Sequence, residues 1–255
     1  MKLLLFVTLA FNAFAFDHEH KSFDVLLKQN VQIKGNQSFF NYKAVKSDSS
    51  LLKAYTNELE SVKKSEYKKF TKPQKLAFWI NAYNAYTIEI VVKNYPLKSI
   101  KDIGYGGFNP LKTVWDRKFI KLGLKKKQMS LNNIEHDTIR KYFKEPRIHF
   151  AVNCASMGCP SLLGEAFVAS KLDSQLERAA KNFLTNVDKN MYKKDSKELV
   201  LSKIFKWYGG DFKPKFGSVE GFASKYIEFP KGTDIEWDDY SWKLNEIKNE
   251  GSNRN

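Results

Sequence analysis

Cysteine and histidine are scarce in this chain, with two and four copies in 255 residues. Two cysteines can form at most one intramolecular disulfide, so a multiply bridged secreted scaffold is excluded. The chain also has no long apolar run, because the longest lies near the N-terminus and is shorter than the roughly 20 residues that a membrane-spanning helix needs. We therefore expect no transmembrane segment.

Acidic residues are outnumbered: 28 Asp and Glu stand against 43 Lys and Arg, for a formal net charge of +15. The basic residues are spread along the chain rather than gathered into one arm, and no nucleic-acid-binding motif accompanies them. We expect no nucleic-acid partner. A lysine-rich surface is the simpler interpretation, and contact with an acidic envelope surface is a further expectation.

The first residues, MKLLLFVTLAFNAFAF, have the layout of a secretory signal. A charge at Lys2 precedes an apolar run, and Ala13 and Ala15 provide the small residues of an A-x-A cleavage site. Cleavage after Ala15 is therefore predicted, which makes residues 1–15 a signal peptide. The mature protein is expected in the periplasm or outside the cell.

Periodicity predicts both helices and strands in this chain. Helical spacing indicates a lead-in over residues 16–70 that packs on a catalytic-like domain over residues 71–246, and a polar tail occupies residues 247–255. A long helix is expected to begin at the T-x-x-Q capping box of Thr71 and end before Pro96. Further along, the pattern predicts a hairpin at LGLK, a strand at ELVLS and an aromatic turn that contains Asp211.

Two polar patterns lie within the predicted helices. Asn81 and Asn84 share one face of the long helix, where buried amides must either brace loops or orient a catalytic group. In SLNNIEHDTIRKYF, Ser130 is the expected N-cap, and Glu135 falls on the apolar stripe while His136 is rotated away. A carboxylate on a core-facing stripe needs a partner, so Glu135 is a candidate functional residue.

The stretch RIHFAVNCASMGCP contains both cysteines. Alternation over residues 147–153 predicts a strand that places His149 on the face opposite the apolar residues. Cys159 precedes Pro160, a residue favoured at the first position of a helix. Cys159 is therefore a candidate N-cap, where the helix dipole would stabilise a thiolate.

These residues allow several kinds of site. A thiol triad would use a cysteine as nucleophile, His149 as base and Glu135 to orient the imidazole. A zinc site could use His136, His149, Cys154 and Cys159, although C-x4-C is not the usual knuckle spacing. A Cys154–Cys159 disulfide and simple packing of the two thiols also fit the sequence, and spacing does not decide among the four.

Five ordered blocks resemble the domain-of-unknown-function 547 family between about residue 70 and residue 245: FWINAYNA, SLNNIEH, RIHFAVNCASMGCP, IFKWYGGDF and YSWKLN. The resemblance implies a papain-like α+β fold with a helical N-terminal region and a small antiparallel sheet. It also implies similarity to phytochelatin-synthase-type enzymes and activity on glutathione or related γ-glutamyl peptides. This chain has Gly158 where the family commonly has Ser.

The resulting hypothesis is an exported cysteine hydrolase that cleaves an amide or peptide bond of a small thiol peptide or cell-wall peptide without a cofactor or metal. Cys159 attacks, His149 moves the proton and Glu135 orients His149, while Asn81 helps to hold the site or the oxyanion. Cys154 modulates or protects the thiol of Cys159. His136 is the alternative base.

A second hypothesis comes from another class of protein. It is a non-catalytic envelope binding domain whose cysteines form a structural bridge and whose lysines meet acidic groups.

Overall fold

The computed structural model describes residues 15–107, 109 and 111–247. Residues 1–14 of the predicted signal peptide and residues 248–255 of the predicted tail lie outside the described residues. The α-helices are α1 (Lys21–Asn30), α2 (Tyr42–Ser47), α3 (Ser50–Ser61), α4 (Lys64–Lys69), α5 (Lys72–Asn94), α6 (Leu131–Ile134), α7 (Lys141–Phe143), α8 (Leu172–Leu184), α9 (Lys203–Phe216) and α10 (Val219–Ala223). The strands are β1 (Val31–Lys34), β2 (Gln37–Phe40), β3 (Met191–Lys193), β4 (Glu198–Ser202) and β5 (Asp234–Asp238).

Shorter helical turns complete the secondary structure. A π-helical turn, Glu135–Arg140, joins α6 to α7. The 3₁₀ turns are Ile100–Ile103, Val114–Asp116, Pro146–Phe150 and Ala169–Lys171. No helix within the described residues has both the length and the apolar character needed to cross a membrane.

The strands form two small sheets. Strands β1 and β2 make an antiparallel hairpin in which Val31 pairs with Phe40. The lead-in was predicted to be helical, and the structure adds this hairpin to its helices. The other sheet has the order β3-β4-β5, with β3 antiparallel and β5 parallel to β4. The α+β class is therefore confirmed. The sheet of β1 and β2 is small and antiparallel, as expected, whereas the three-stranded sheet is mixed because β5 joins in parallel.

The long central helix α5 forms as predicted. Thr71 caps its N-terminus, and Thr71 and Gln74 exchange both hydrogen bonds of the capping box. Beyond its first turn α5 is buried on nearly every side, which explains why its residues are apolar all round. The helix is thus the axis on which the lead-in helices α2 and α3 and the turn at Glu135–Arg140 pack.

Apolar side chains form two cores. The larger surrounds α5, and the smaller is built by α8, β4, α9 and α10 around Phe150. The 3₁₀ turn Pro146–Phe150 contacts α8 and α9, so it carries His149 to the boundary between the two cores.

The predicted strand at residues 147–153 is replaced by this 3₁₀ turn. Glu145 accepts a hydrogen bond from the backbone N–H of Arg147, and Pro146 occupies the first turn, which together start a helical turn. Ile148, His149 and Phe150 are all buried, so no exposed face enforces strand alternation.

The helix predicted to begin at Pro160 begins only at Leu172. Residues 160–168 are irregular because side chains from elsewhere take their backbone groups. The Leu162 N–H donates to Ser38 Oγ at 2.7 Å, and the Phe167 N–H donates to Asn81 Oδ1 at 3.0 Å. These tertiary bonds replace the helical ladder.

Other predicted elements differ in outcome. The strand ELVLS is confirmed as β4. The hairpin at LGLK is reduced to an isolated antiparallel bridge between Ile120 and Met129. The predicted turn around Asp211 is wrong, because Asp211 lies inside α9.

Candidate active site

A cavity of about 270 Å³ lies between the two cores. Four residues singled out from the sequence line it together: Glu135, His149, Cys154 and Cys159. They come from the π-helical turn, the 3₁₀ turn and the cysteine loop that follows it. The cavity therefore unites an imidazole, a carboxylate and both sulfurs of the chain.

His149 is held rigidly at the wall of this cavity. Its Nε2 lies 2.8 Å from Asp211 Oδ2, and its ring stacks on Tyr208 at 4.0 Å between centroids. Burial lowers the pKa of His149, although the hydrogen bond to Asp211 acts in the opposite direction. The imidazole is therefore neutral at pH 7.

The tautomer of His149 follows from its partner. An ionised carboxylate only accepts hydrogen bonds, so Nε2 carries the proton that Asp211 receives. The other nitrogen, Nδ1, is buried and has no hydrogen-bond partner. His149 thus has an unprotonated nitrogen that is free to act as a base.

Asp211 was not predicted as a site residue. Arg140 binds it with two nitrogens, Nε at 2.6 Å from Oδ2 and Nη2 at 2.9 Å from Oδ1. Burial acts to raise the pKa of Asp211, but the hydrogen bonds from His149 and Arg140 outweigh it and hold that pKa well below its usual value. Asp211 is therefore the ionised group that orients His149.

The sequence contains a signal for Asp211. Ile204, Trp207, Tyr208 and Asp211 follow the i, i+3, i+4, i+7 spacing of one helix face. A carboxylate on such a face is the same pattern that singled out Glu135.

Glu135 does not orient His149, which corrects the predicted role. Its Oε1 lies 4.0 Å from His149 Nδ1, too far for a hydrogen bond. The side chains of Tyr83 and Tyr208 hydrogen-bond to Glu135 instead, and burial together with the carboxylate charge raises the pKa of both phenols. Glu135 is therefore a buried carboxylate whose partners are neutral hydroxyl donors.

The two cysteines form a disulfide, with 6.1 Å between their Cα atoms. Cys159 is almost fully buried, with 1% of its surface exposed, whereas Cys154 is half-buried. The Cys154 N–H donates to Cys159 Sγ at 2.9 Å. No helix begins at Pro160, so Cys159 is not an N-cap residue. The predicted stabilisation of its thiolate by a helix dipole therefore does not apply.

Tyr240 covers the disulfide. Its hydroxyl lies 3.0 Å from Cys154 Sγ and 3.2 Å from Cys159 Sγ, and the Ser156 hydroxyl donates to it at 3.2 Å. Burial raises the pKa of Tyr240, so its hydroxyl keeps its proton. Tyr240 is thus a neutral hydrogen-bond donor beside both sulfurs.

Gly158 makes this contact possible. A Cβ placed on Gly158 would lie 2.9 Å from three ring atoms of Tyr240, closer than carbon atoms approach. The Gly158 N–H also donates to the Ser241 carbonyl at 2.8 Å, which joins the cysteine loop to the segment that carries Tyr240. Position 158 therefore has no room for a side chain beside the Tyr240 ring.

Lys189 supports the cysteine loop from the other side. Its Nζ donates to the Cys159 carbonyl at 2.6 Å and to Gln37 Oε1 at 2.7 Å. Burial lowers the pKa of Lys189 to about 8. This largely buried amine fixes the backbone of Cys159 rather than its sulfur.

Two predicted site residues do not line the cavity. Asn81 donates to the Phe167 carbonyl at 2.7 Å and accepts from the Phe167 N–H, so its amide braces a loop and is not free to hold an oxyanion. His136 Nδ1 lies 3.0 Å from Arg140 Nη1, which occupies the nitrogen that the alternative base would need. Asn84 braces the backbone of Ala151 and Asn153 in the same manner as Asn81 braces Phe167.

Three tryptophans, Trp115, Trp207 and Trp242, also line the cavity and are here called the tryptophan cluster. The Trp242 ring lies 5.4 Å from Trp115 and 6.2 Å from Trp207, and Tyr240 contacts both Trp207 and Trp242. For Trp207 and Trp242, the sequence favours packing over ligand stacking. They do pack on one another, but Trp207 keeps 47% of its surface exposed.

The zinc site that the sequence allowed gains no support from the arrangement. Within the described part of the chain, no group of three or more His, Cys, Asp or Glu side chains could hold a metal ion. Both cysteines of the proposed ligand set are bonded to each other.

Comparison with protein families gives one match, over residues 67–184, to a family described as protein of unknown function, DUF547. The match supports the family resemblance. The four predicted residues that line the cavity lie inside the matched segment, whereas Asp211 and Tyr240 lie beyond its end.

No curated protein and no solved structure matches the chain significantly.

Proposed function

We propose that the chain is a cysteine-dependent hydrolase of small amide or peptide bonds that becomes active when the Cys154–Cys159 disulfide is reduced. The observation that carries this proposal is the free Nδ1 of His149. It is an unprotonated, buried nitrogen on the wall of the cavity that also holds both sulfurs, while Asp211 fixes Nε2. This is the arrangement of orienting acid and base that a thiol nucleophile requires.

Cys154 is the attacking thiol in this proposal. Its side chain is half-buried, whereas Cys159 is 1% exposed and hydrogen-bonded to the Cys154 N–H. An external dithiol first reduces the disulfide to two thiols and is itself oxidised to a disulfide. Cys159 then remains as the buried partner that can re-form the bridge.

The chemical step follows from these groups. His149 Nδ1 accepts the proton of the Cys154 thiol, and the thiolate attacks the carbonyl carbon of the substrate. The C–N bond breaks, the leaving amine takes the proton from His149, and the acyl group stays on Cys154 as a thioester. Water activated by His149 then hydrolyses the thioester and restores the thiol.

Tyr240 is the proposed donor to the oxyanion, in place of Asn81. Its neutral hydroxyl lies 3.0 Å from Cys154 Sγ, within reach of an oxygen on the carbon that this sulfur attacks. A single well-placed donor of this kind contributes about 10²- to 10³-fold to the rate of acyl transfer.

The substrate proposed is glutathione, a related γ-glutamyl peptide or a cell-wall peptide. The family resemblance suggests this class, and the volume of about 270 Å³ suits a small peptide rather than a folded protein. The papain-like fold and the periplasmic or secreted location belong to the same proposal. The location rests on the N-terminal sequence pattern, and the fold rests on the family resemblance together with the meeting of Cys, His and acid in one cavity.

The test measures thiol reactivity without a known substrate. The protein is reduced with dithiothreitol and alkylated with iodoacetamide between pH 5 and pH 9, and each cysteine is followed by peptide mass spectrometry. Cys154 is expected to react faster at pH 6.5 than a free thiol of pKa about 8.5, and His149→Gln slows it at least tenfold. His18→Gln, a histidine outside the cavity that packs on Phe16 and Phe70, is the matched control and leaves the rate unchanged.

Turnover is then measured as amine release from a panel of γ-glutamyl and cell-wall dipeptides. Cys154→Ser abolishes release, whereas Cys159→Ser retains it. If Cys154 alkylates no faster than a free thiol and no peptide is cleaved, the hydrolase proposal is wrong.

One observation favours a second candidate, a non-catalytic envelope binding domain. The disulfide is formed, and Tyr240 and Ser156 pack against it as they would against a structural bridge. This candidate predicts that the disulfide resists dithiothreitol until the protein unfolds.

A further inference from the structure

The cavity differs in charge from the rest of the chain. The chain has 43 Lys and Arg against 28 Asp and Glu. Among the described residues that line the cavity, however, none is Lys or Arg, and Glu135 is the one carboxylate. His149 adds no positive charge, because burial lowers its pKa.

Aromatic rings form much of the remaining wall. They are Tyr83, Trp115, Trp207, Tyr208, Tyr240 and Trp242. The face of each ring carries negative electrostatic potential and attracts a cation within about 6 Å. A wall of this kind with a buried carboxylate is complementary to a positively charged organic group and repels an anion.

Two cationic side chains that do not line the cavity lie over rings of its wall. Lys101 Nζ lies 5.0 Å from the centroid of Trp242, and the Arg140 guanidinium lies 4.9 Å from that of Tyr208. Both carboxylate oxygens of Asp211 also bind Arg140, and their negative charge compensates that of the guanidinium. Neither cation lines the cavity, although the charge of Arg140 also interacts with Glu135.

We propose that the cavity binds an organic ammonium group between the Glu135 carboxylate and the tryptophan cluster. Given the proposed hydrolase function, on which this proposal rests, the substrate is a small amide or peptide that carries a free amino or alkylammonium group. The ammonium end is recognised at Glu135 and the rings, and the amide carbonyl lies toward Cys154. An amide of the same size that lacks an ammonium group is a poor ligand.

The test compares two probes of equal shape. Choline and 3,3-dimethylbutan-1-ol share one skeleton, but only choline has a positive charge. Each is titrated into the oxidised protein at constant ionic strength, and binding is followed by tryptophan fluorescence. Choline is expected to bind at least tenfold more tightly than the neutral alcohol.

Variants locate the binding site. Glu135→Gln and Trp207→Ala are each expected to reduce the choline preference to less than threefold. Trp207 is a safe second variant because nearly half of its surface is exposed, so its removal does not threaten folding. Glu236→Gln, which removes an exposed carboxylate on β5, is the matched control and keeps the full preference.

The ammonium proposal is overturned if choline and the alcohol bind equally well, if the alcohol binds more tightly, or if choline gives no response. These measurements need neither a free thiol nor turnover, so their failure is separate from failure of the hydrolase proposal. Choline preference in a protein whose Cys154 proves unreactive supports the ammonium site and contradicts only the hydrolase.

Discussion

His149 Nε2 and Asp211 Oδ2 lie 2.8 Å apart, although 62 residues separate them in the chain. The contact joins the 3₁₀ turn Pro146–Phe150 to helix α9, and Arg140 completes it by binding both oxygens of the same carboxylate. Asp211 thereby fixes the proton on Nε2 and leaves Nδ1 free. The base of the proposed mechanism depends on this single carboxylate.

Asp211→Asn is expected to slow alkylation of Cys154 in the reduced protein by about 10- to 100-fold at pH 6.5, because an amide can donate to Nε2 and shift the proton to Nδ1. The rate is measured with iodoacetamide by peptide mass spectrometry. Asp173→Asn is the matched control, since Asp173 also pairs with an arginine, Arg147, at 2.7 Å but lies outside the cavity. An equal effect of both substitutions would show that Asp211 has no special role.

Local chemistry explains which elements could be predicted. The capping box of Thr71 and Gln74 depends on neighbouring residues alone, and α5 begins where it indicates. The helix predicted to begin at Pro160 failed because partners from distant segments, such as Ser38 and Asn81, take the backbone hydrogen bonds there. No local pattern contains that information.

The same division holds for the candidate site. The spacing that placed Glu135 on a buried face was correct, since only 5% of that residue is exposed. Its partners, Tyr83 and Tyr208, come from different helices and could not be inferred from spacing. Asp211 shares a helix face with Tyr208. The Gly209-Gly210 pair between them is typical of a turn, so the sequence predicted a turn there instead of a helix.

Stability is expected to fall between pH 7.5 and pH 5 because His20 is buried in neutral form. Burial lowers the pKa of His20 to about 3, so the unfolded chain binds a proton below pH 6.5 that the native protein excludes. Stability from this group is complete above pH 6.5 and declines by about 2 kcal/mol at pH 5, at 1.36 kcal/mol per pH unit. Burial of His149 lowers its pKa too and adds a loss of the same sign.

The free energy of unfolding is measured by urea titration at both pH values. His20→Leu removes the titrating group together with its hydrogen bond to Tyr55, so its absolute stability is lower at pH 7.5. Its decline between pH 7.5 and pH 5 is expected to be smaller than that of the wild type. An undiminished decline contradicts the assignment to His20.

Gly158→Ala is expected to destabilise the protein by about 1 to 3 kcal/mol, because the added Cβ meets the Tyr240 ring at 2.9 Å and that ring is packed against Trp207 and Trp242. Displacement of Tyr240 also exposes the disulfide, so reduction by dithiothreitol becomes faster. Gly164→Ala is the matched control, since nothing lies within 4 Å of a Cβ at Gly164. Urea unfolding and timed thiol titration measure both effects.

The start of the described chain offers a further prediction. The Phe16 N–H lies 2.7 Å from Glu66 Oε1, and the Phe16 ring is buried against Phe70 and Phe78. Cleavage after Ala15, as the sequence predicts, converts that N–H into an ammonium group beside a carboxylate. Under this prediction, the protein recovered outside the cytoplasm of an expressing cell begins at Phe16, and mass spectrometry of the intact protein checks this.

Glu66→Gln then separates the charged contact from the neutral one. In a chain that begins at Phe16 the substitution is expected to destabilise the protein by about 1 kcal/mol more than in a chain that begins at Met1, because a hydrogen bond between two charged groups is stronger than one from a neutral amide. Urea unfolding of the four proteins gives this difference, and Glu19→Gln, an exposed carboxylate nearby, is the control. Equal losses in the two chains would mean that the Phe16 ammonium does not pair with Glu66, since only the chain beginning at Phe16 contains that charge.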